Sequence, residues 1–345
     1  MLSGHILPAH PHPLNDELFS SWFTRLAFSN LSKIHSFAIE IFGKDKGGVF
    51  WNRDIDCFIN LEEMDYLSFR TGIDTKKIYE TSIRSYEGIL FQRFNSNGFN
   101  RWILPCGIYH RTRRSNWLVY CPICLSSDKE PYFRKSWRLA FYTICPIHHI
   151  YMHDACPKCK NPITFFRQEL GKREKYKVES IANCYYCQFN LRDTNYIPLG
   201  DEKEYPMNHI NLIKYHKPGW WILKHNQESL PYSFSYYDVV HYLCSFLSSK
   251  IGFSLYEYVS RIVKLNLVMK KNKKVFETRI LAERNNLLNC ALWLIEDWPH
   301  RFISLCKKYK LTESRITRSE QLPYWFHKEI SFYLKGTIAI QYDLY

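Results

Sequence analysis

Four short pairs of metal-ligating residues dominate the middle of this 345-residue chain: Cys121 with Cys124, Cys145 with His148, Cys156 with Cys159, and Cys184 with Cys187. Gaps of 20, 7 and 24 residues separate the pairs. A two-residue spacing lets one tight turn offer two ligands to a tetrahedral ion, and two turns complete the four. Eight ligands therefore predict two zinc ions. Pro122, Pro146 and Pro157 each follow the first ligand of a pair, where a fixed φ helps build the turn.

Disulfides would need an oxidising compartment, and the start, MLSGHILPAHPHP, has neither a basic leader nor a long apolar core. A thioredoxin-like redox site needs one such pair in a βαβ setting, not four pairs close together. With every coordination position filled by protein, no corner is left for water or substrate, so the ions are expected to be structural. Consecutive pairing groups Cys121, Cys124, Cys145 and His148 in one site and Cys156, Cys159, Cys184 and Cys187 in the other. Interleaved pairing would make a RING-like module, but RING domains place only two or three residues between the second and third pairs. Consecutive zinc ribbons are favoured. His149 and His153 are alternative ligands to His148. Cys57, Cys106, Cys244, Cys290 and Cys306 have no partner at ligand spacing and read as buried thiols.

The chain carries a net charge of +14, which points to an acidic partner such as nucleic acid. The basicity is uneven. Residues 1–100 hold ten basic against twelve acidic side chains, residues 101–200 sixteen against seven, and residues 201–345 twenty-one against fourteen. Arg101, Arg111, Arg113 and Arg114 interleave with Trp102, Tyr109, His110 and Trp117, a composition suited to phosphate or RNA contact and equally to a solvated loop over buried aromatics. Lys172 and Arg173 sit in a basic tip between the third and fourth pairs, and Lys270, Lys271, Lys273 and Lys274 form a run between two helices.

Before the ligand pairs the pattern is helical. Asn15 is expected to cap a helix with Asp16 and Glu17 in its first turn and Leu14 stapled to Phe19. Its apolar stripe is Leu18, Phe19, Trp22, Phe23, Leu26 and Ala27. A second helix runs from about Lys33 to Phe42 and stops near Gly43. Residues 61–87 have helix-turn-helix grammar: Leu61, Met64 and Leu67 inward, a turn at Thr71 and Gly72, Asp74 as a cap, then Ile78 and Ile83 inward. Lys76, Lys77 and Arg84 would read a major groove if this were a DNA-binding unit. A packing or protein-docking hairpin is favoured, because the region is not basic.

Beyond a charged break at residues 201–206, segments near 235–250, 254–266, 275–297, 299–309 and 320–335 read as amphipathic helices. In the third, Ile280, Leu281, Leu287, Leu288, Ala291, Leu294 and Ile295 form the buried face. The fold class is therefore mainly α with a small zinc-ribbon β region in the middle. The expected domains are an N-terminal helix-turn-helix-like bundle (1–105), a double zinc-ribbon region (106–200) and a C-terminal helical domain (201–345). No phosphate-binding loop, dinucleotide fingerprint, nucleophile elbow or zinc-protease motif is present, no apolar run approaches the ~20 residues of a membrane helix, and an enzyme is not expected.

The stretch DELFSSWFTRLA (16–27), followed by YCPICLSSDKEPYFRKSWRLAFYTICPIHHIYMHDACPKCK (120–160), resembles the TniQ/TnsD family of transposon target-selection proteins. The resemblance rests on the early DE-L…W-x-x-R-LA run, the CPxCL pair, the W-R-L-x-F segment before CPxHH and the CPxC that follows, and it covers about residues 15–190. It implies a non-enzymatic adaptor that links a target-recognition module to an AAA+ ATPase, which recruits the transposase. In CRISPR-associated transposons that module is a Cascade complex carrying guide RNA. The adaptor there is a homodimer docked at the end of that RNA, and its helix-turn-helix elements mostly contact protein. The TnsD branch binds a DNA attachment site directly and has a longer C-terminal region, so the resemblance favours the CRISPR-associated branch. A bacterial cytoplasmic location follows from the same resemblance.

Overall fold

A computed structural model describes residues 6–109, 112–168, 180–200, 221–222, 229–230, 233–265, 274–317 and 322–335. The chain forms two compact units. The first comprises residues 1–87 with 93–200, and the second residues 201–345 with 88–92. The helical bundle and the ligand-bearing region, divided at 105/106 on sequence grounds, thus share one unit.

In the first unit, α1 (Phe19–Ser29) buries Phe19, Trp22, Phe23, Leu26 and Ala27 as its stripe requires. Its start differs from the sequence expectation. Leu18 is the N-cap residue, with no side-chain cap bond, and Asp16 adopts φ 55° ahead of the helix. Glu17 leaves the first turn because a β-bridge to Arg134 holds its backbone extended. Helix α2 (Ile34–Phe50) is broken at Gly43, whose φ of 83° and ψ of 165° suit only glycine. Helices α3 (Ile55–Phe58), α4 (Leu61–Thr71) and α5 (Thr75–Thr81) follow.

The α4–α5 hairpin follows its sequence closely. Asn60 and Glu63 close a reciprocal capping box, Gly72 ends α4 in the left-handed region at φ 68°, and the Asp74 carboxylate accepts from the Lys76 N–H. Met64, Leu67, Ile73, Ile78 and Ile83 are buried. Leu61 is not: as the first residue after the cap it sits 55% exposed. Arg84 lies past the end of α5, in a 3₁₀ turn (Ile83–Tyr86), with its guanidinium over the Phe94 ring.

Among the described residues three antiparallel strand pairs supply the β structure: β1 (Ile108–Tyr109) with β2 (Thr112–Arg113) and β3 (Ile144–Cys145) with β4 (Ile150–Tyr151) in the first unit, and β5 (Trp221–Ile222) with β6 (Ser229–Leu230) in the second. Ile144 faces Tyr151, and Cys145 faces Ile150. Between β2 and β3 lies the short helix α6 (Pro122–Ser127).

The core of this unit is aromatic. Phe133 stacks on Phe165 at 4.4 Å and Trp51 on Phe166 at 4.5 Å, while the Trp117 indole N–H donates to the Ile163 carbonyl at 2.7 Å. Residues 133–140, between the first two ligand pairs, thread through it. The Leu18 N–H donates to Phe133 O, Val119 N–H to Trp137 O, Leu104 N–H to Arg138 O, and Ala140 N–H to Trp102 O. The W-R-L-x-F segment and the α1 motif are therefore neighbours in one core.

The second unit contains α7 (Ser233–Ser248), α8 (Phe253–Ile262), α9 (Leu281–Glu296), α10 (His300–Lys308), α11 (Glu313–Ile316) and α12 (Tyr324–Leu334). α9 packs on α7 and α8, and α10 on α12. α9 begins at Leu281 rather than near 275, because Phe276–Thr278 forms a 3₁₀ turn and Arg279 is extended. Ile280, the N-cap residue, is consequently 56% exposed, while Leu287, Leu288, Ala291, Leu294 and Ile295 are buried as expected.

Candidate metal centres

The first ligand pair is presented by a helix start. Cys121 is the N-cap residue of α6, Pro122 occupies the first turn, and the Cys121 sulfur accepts from the Cys124 N–H at 3.4 Å. The other three pairs share a different device. Four residues past the first ligand stands a non-glycine residue in the left-handed region: His149 (φ 52°), Lys160 (φ 60°) and Gln188 (φ 58°). Each donates its N–H back to the carbonyl of the first ligand, Cys145, Cys156 and Cys184 respectively, at 2.9–3.0 Å. The sequence suggested four like turns; the structure has three of one kind and one helical start.

These turns gather the ligands into two groups. Cys121, Cys124, Cys145 and His148 form one and Cys156, Cys159, Cys184 and Cys187 the other, with the donor atoms of each group within 4.8 Å of one another. This is the consecutive arrangement, and interleaving is excluded. His148 is the histidine of the first group; His149 is exposed, and the His153 ring packs on Tyr120.

The spacing fits a tetrahedral ion. With metal–sulfur bonds of ~2.3 Å and metal–nitrogen bonds of ~2.0–2.1 Å, ideal edges are about 3.8 Å between sulfurs and about 3.5 Å from sulfur to nitrogen. His148 Nδ1 lies 3.5, 3.3 and 3.6 Å from the sulfurs of Cys121, Cys124 and Cys145. Cys124 and Cys145 are 3.7 Å apart, and the pairs Cys156–Cys187 and Cys159–Cys184 each 3.6 Å. All are far beyond a ~2.05 Å disulfide bond, and all twelve cysteines are free thiols. Hydrogen bonds from the Cys121 and Cys124 thiols hold the Cys145 thiol below its ordinary range. Four converging thiol or imidazole donors in each group, five of the eight residues buried, suit a thiophilic divalent cation such as zinc.

The five remaining cysteines are buried, as expected. Burial pushes the Cys306 thiol up to about 12.

The candidate nucleic-acid residues divide. Arg114 is exposed, its guanidinium 3.8 Å from the centre of the Tyr109 ring; Arg101 is half-buried and Lys274 exposed. Arg113 is a correction. It is buried against Trp117 and Phe166 and donates to the carbonyls of Trp51 and Arg53, so it is closed to phosphate. Trp102 and Trp117, at 0% and 1% exposure, belong to the core rather than to a stacking surface. Arg111, Lys172, Arg173, Lys270, Lys271 and Lys273 lie outside the described residues.

Sequence reasoning missed a buried ionic network that fixes the ligand region. Arg138, with no exposed surface, donates to Asp54 at 2.6 and 3.0 Å, to Asp56 at 3.0 Å and to Leu104 O at 3.0 Å. Asp56 also accepts from the Ser20 N–H and hydroxyl at the start of α1. Nearby, Arg25 pairs with Glu17 at 2.7 Å and with Glu130 at 2.8 Å. Burial pushes the Glu17 carboxyl up to about 7 against the pull of Arg25. The available signal was a charged residue inside an apolar run: Arg138 in W-R-L-x-F and Glu17 in the α1 motif.

Residues 8–152 match the model of the TniQ family. The match spans the first ligand group and ends before Cys156, the first residue of the second. No curated protein matches the chain. Among the described residues, no helix is long and apolar enough to cross a membrane.

Proposed function

We propose that this chain, which carries a TniQ domain over residues 8–152, selects targets for DNA transposition as a non-enzymatic adaptor. In this reading it couples a guide-RNA Cascade complex to an AAA+ regulator, and through that to the transposase, in the bacterial cytoplasm. The observation that carries it is the fusion of the two motif stretches of the domain into one core by Arg138 and residues 133–140. Such a rigid body suits holding two partners in fixed relation. The two ligand groups hold zinc, which supplies cross-linking of the chain and no reaction step. Cys121, Cys124, Cys145 and His148 pin α6 to the β3–β4 hairpin, and the second group pins the two turns that follow.

The outward side of α4 and α5 favours protein contact over groove reading. Lys76 and Lys77 are exposed there, but so are Glu62, Asp65, Asp74 and Glu80. A mixed surface pairs with a mixed protein surface more readily than with phosphate. The alternative is a TnsD-like protein that binds an attachment site itself. A reconstituted guide-directed insertion assay separates them: omission of this protein abolishes insertion if it is the adaptor, and intact insertion without it refutes the reading. As an adaptor it works as a homodimer, which sedimentation of the purified protein tests.

A further inference from the structure

Between His300 and Arg315 the sequence carries five cationic side chains, Arg301, Lys307, Lys308, Lys310 and Arg315, against one carboxylate, Glu313. Arg301 is engaged by Glu296 at 2.7 Å. Lys307 and Lys308, at the end of α10, are exposed, and what holds them is aromatic. Lys308 Nζ lies 4.0 Å from the centre of the Tyr258 ring on α8, and Lys307 Nζ lies 5.3 Å from that of Tyr333 on α12. Among the described residues no carboxylate is within ion-pair distance of either lysine. Among the described residues the acids nearest in sequence are engaged elsewhere: Glu313 accepts from the Ser331 hydroxyl at 2.5 Å, and Asp297 and Glu296 lie 4.0 and 2.7 Å from Arg301.

The same strip ends in an apolar ring that the fold leaves in water. Phe332 is 78% exposed and meets Tyr333 edge-on at 4.8 Å. Three helices thus contribute to a row of Tyr258, Lys308, Lys307, Tyr333 and Phe332. Two neighbouring point charges are flanked in it by aromatic rings, Tyr258 on one side and Tyr333 with Phe332 on the other.

We propose that this row binds a single-stranded stretch of nucleic acid. Lysine ammonium groups attract backbone phosphates by charge, and ring faces stack on bases whatever their sequence. A duplex hides its base faces, leaving Phe332 and Tyr333 nothing to stack on, so the single strand is the matching ligand. The inference concerns the second unit, outside residues 8–152, and stands independently of the adaptor reading.

The test is fluorescence anisotropy with the full-length, metal-loaded protein and a fluorescein-labelled oligothymidylate, repeated across salt concentrations. Lys307→Gln with Lys308→Gln should weaken binding roughly tenfold and reduce the salt slope by about 1–2. Phe332→Ser should weaken it roughly fivefold or more with the slope unchanged, since stacking releases no counterion. All three side chains are exposed, so the urea midpoint should match the parent and exclude misfolding. Parent-like binding by both variants overturns the proposal. So does displacement of the oligothymidylate by a duplex as readily as by unlabelled single strand, or by polyglutamate at equal charge.

Discussion

The Arg138 guanidinium, on the segment between the first two ligand pairs, meets the Asp54 carboxylate at 2.6 Å across 84 residues of sequence. Asp56 takes a second arm of the same guanidinium, so one buried cation closes the N-terminal helices onto the metal-ligating region.

Removing that cation should be costly. Arg138→Met leaves two carboxylates facing a core built around their partner, and is expected to destabilise the first unit by roughly 3–5 kcal/mol. Arg138→Lys keeps the charge but not the planar fork, and should fall between parent and Arg138→Met. Urea unfolding followed by tryptophan fluorescence measures both; an unchanged midpoint for Arg138→Met would refute the role given to the pair.

Metal content tests the ligand grouping directly. The parent should carry two ions per chain by native mass spectrometry. Cys121→Ser with Cys145→Ser removes two ligands from one group and should cost one ion. Cys121→Ser with Cys156→Ser touches both groups and should cost both. Chelation should unfold the region, since structural zinc contributes on the order of 10 kcal/mol of apparent binding energy in small zinc modules.

Glu17 links stability to pH. Its carboxyl rises to about 7 in the fold from an ordinary value of 4.5, because burial favours the neutral form. The folded chain therefore binds more protons than the unfolded chain between those values, and this contribution to stability falls as pH rises from about 4.5 to 7. Glu17→Gln stays neutral throughout. The stability difference between parent and variant should drift toward the variant across that window, read from urea midpoints at each pH; a constant difference contradicts the assignment.

Gly72 offers a local test. A Cβ there would meet nothing within 4 Å, but φ is 68°. Gly72→Ala should cost about 1 kcal/mol from the left-handed backbone alone, without loss of packing. A thermal midpoint equal to that of the parent would show that the turn relaxes freely.

Much of the candidate site was legible because its determinants are local. A two-residue ligand spacing is a property of one turn, so both quartets and their consecutive grouping could be read from gaps of 20, 7 and 24 residues. The α4–α5 hairpin was legible for the same reason: Gly72 and Asp74 act on backbone groups within a few residues. The start of α1 was not, because Asn15, Asp16 and Glu17 make a good local cap, but a bridge to Arg134 more than a hundred residues away holds Glu17 extended. Arg113 likewise has the composition of a phosphate ligand, and only the arrival of Trp51 and Phe166 from distant segments turns it inward.

By itself, then, the sequence determined which side chains can cross-link the chain and where its helices bend or stop, since spacing, caps and glycine act over a few bonds. The tertiary structure alone decided which charges are buried. An arginine in an apolar run is a surface cation or a core strut depending on whether carboxylates from elsewhere in the chain meet it. For Arg138 that is decided by Asp54 and Asp56, and for Lys307 and Lys308 by the absence of any such partner among the described residues.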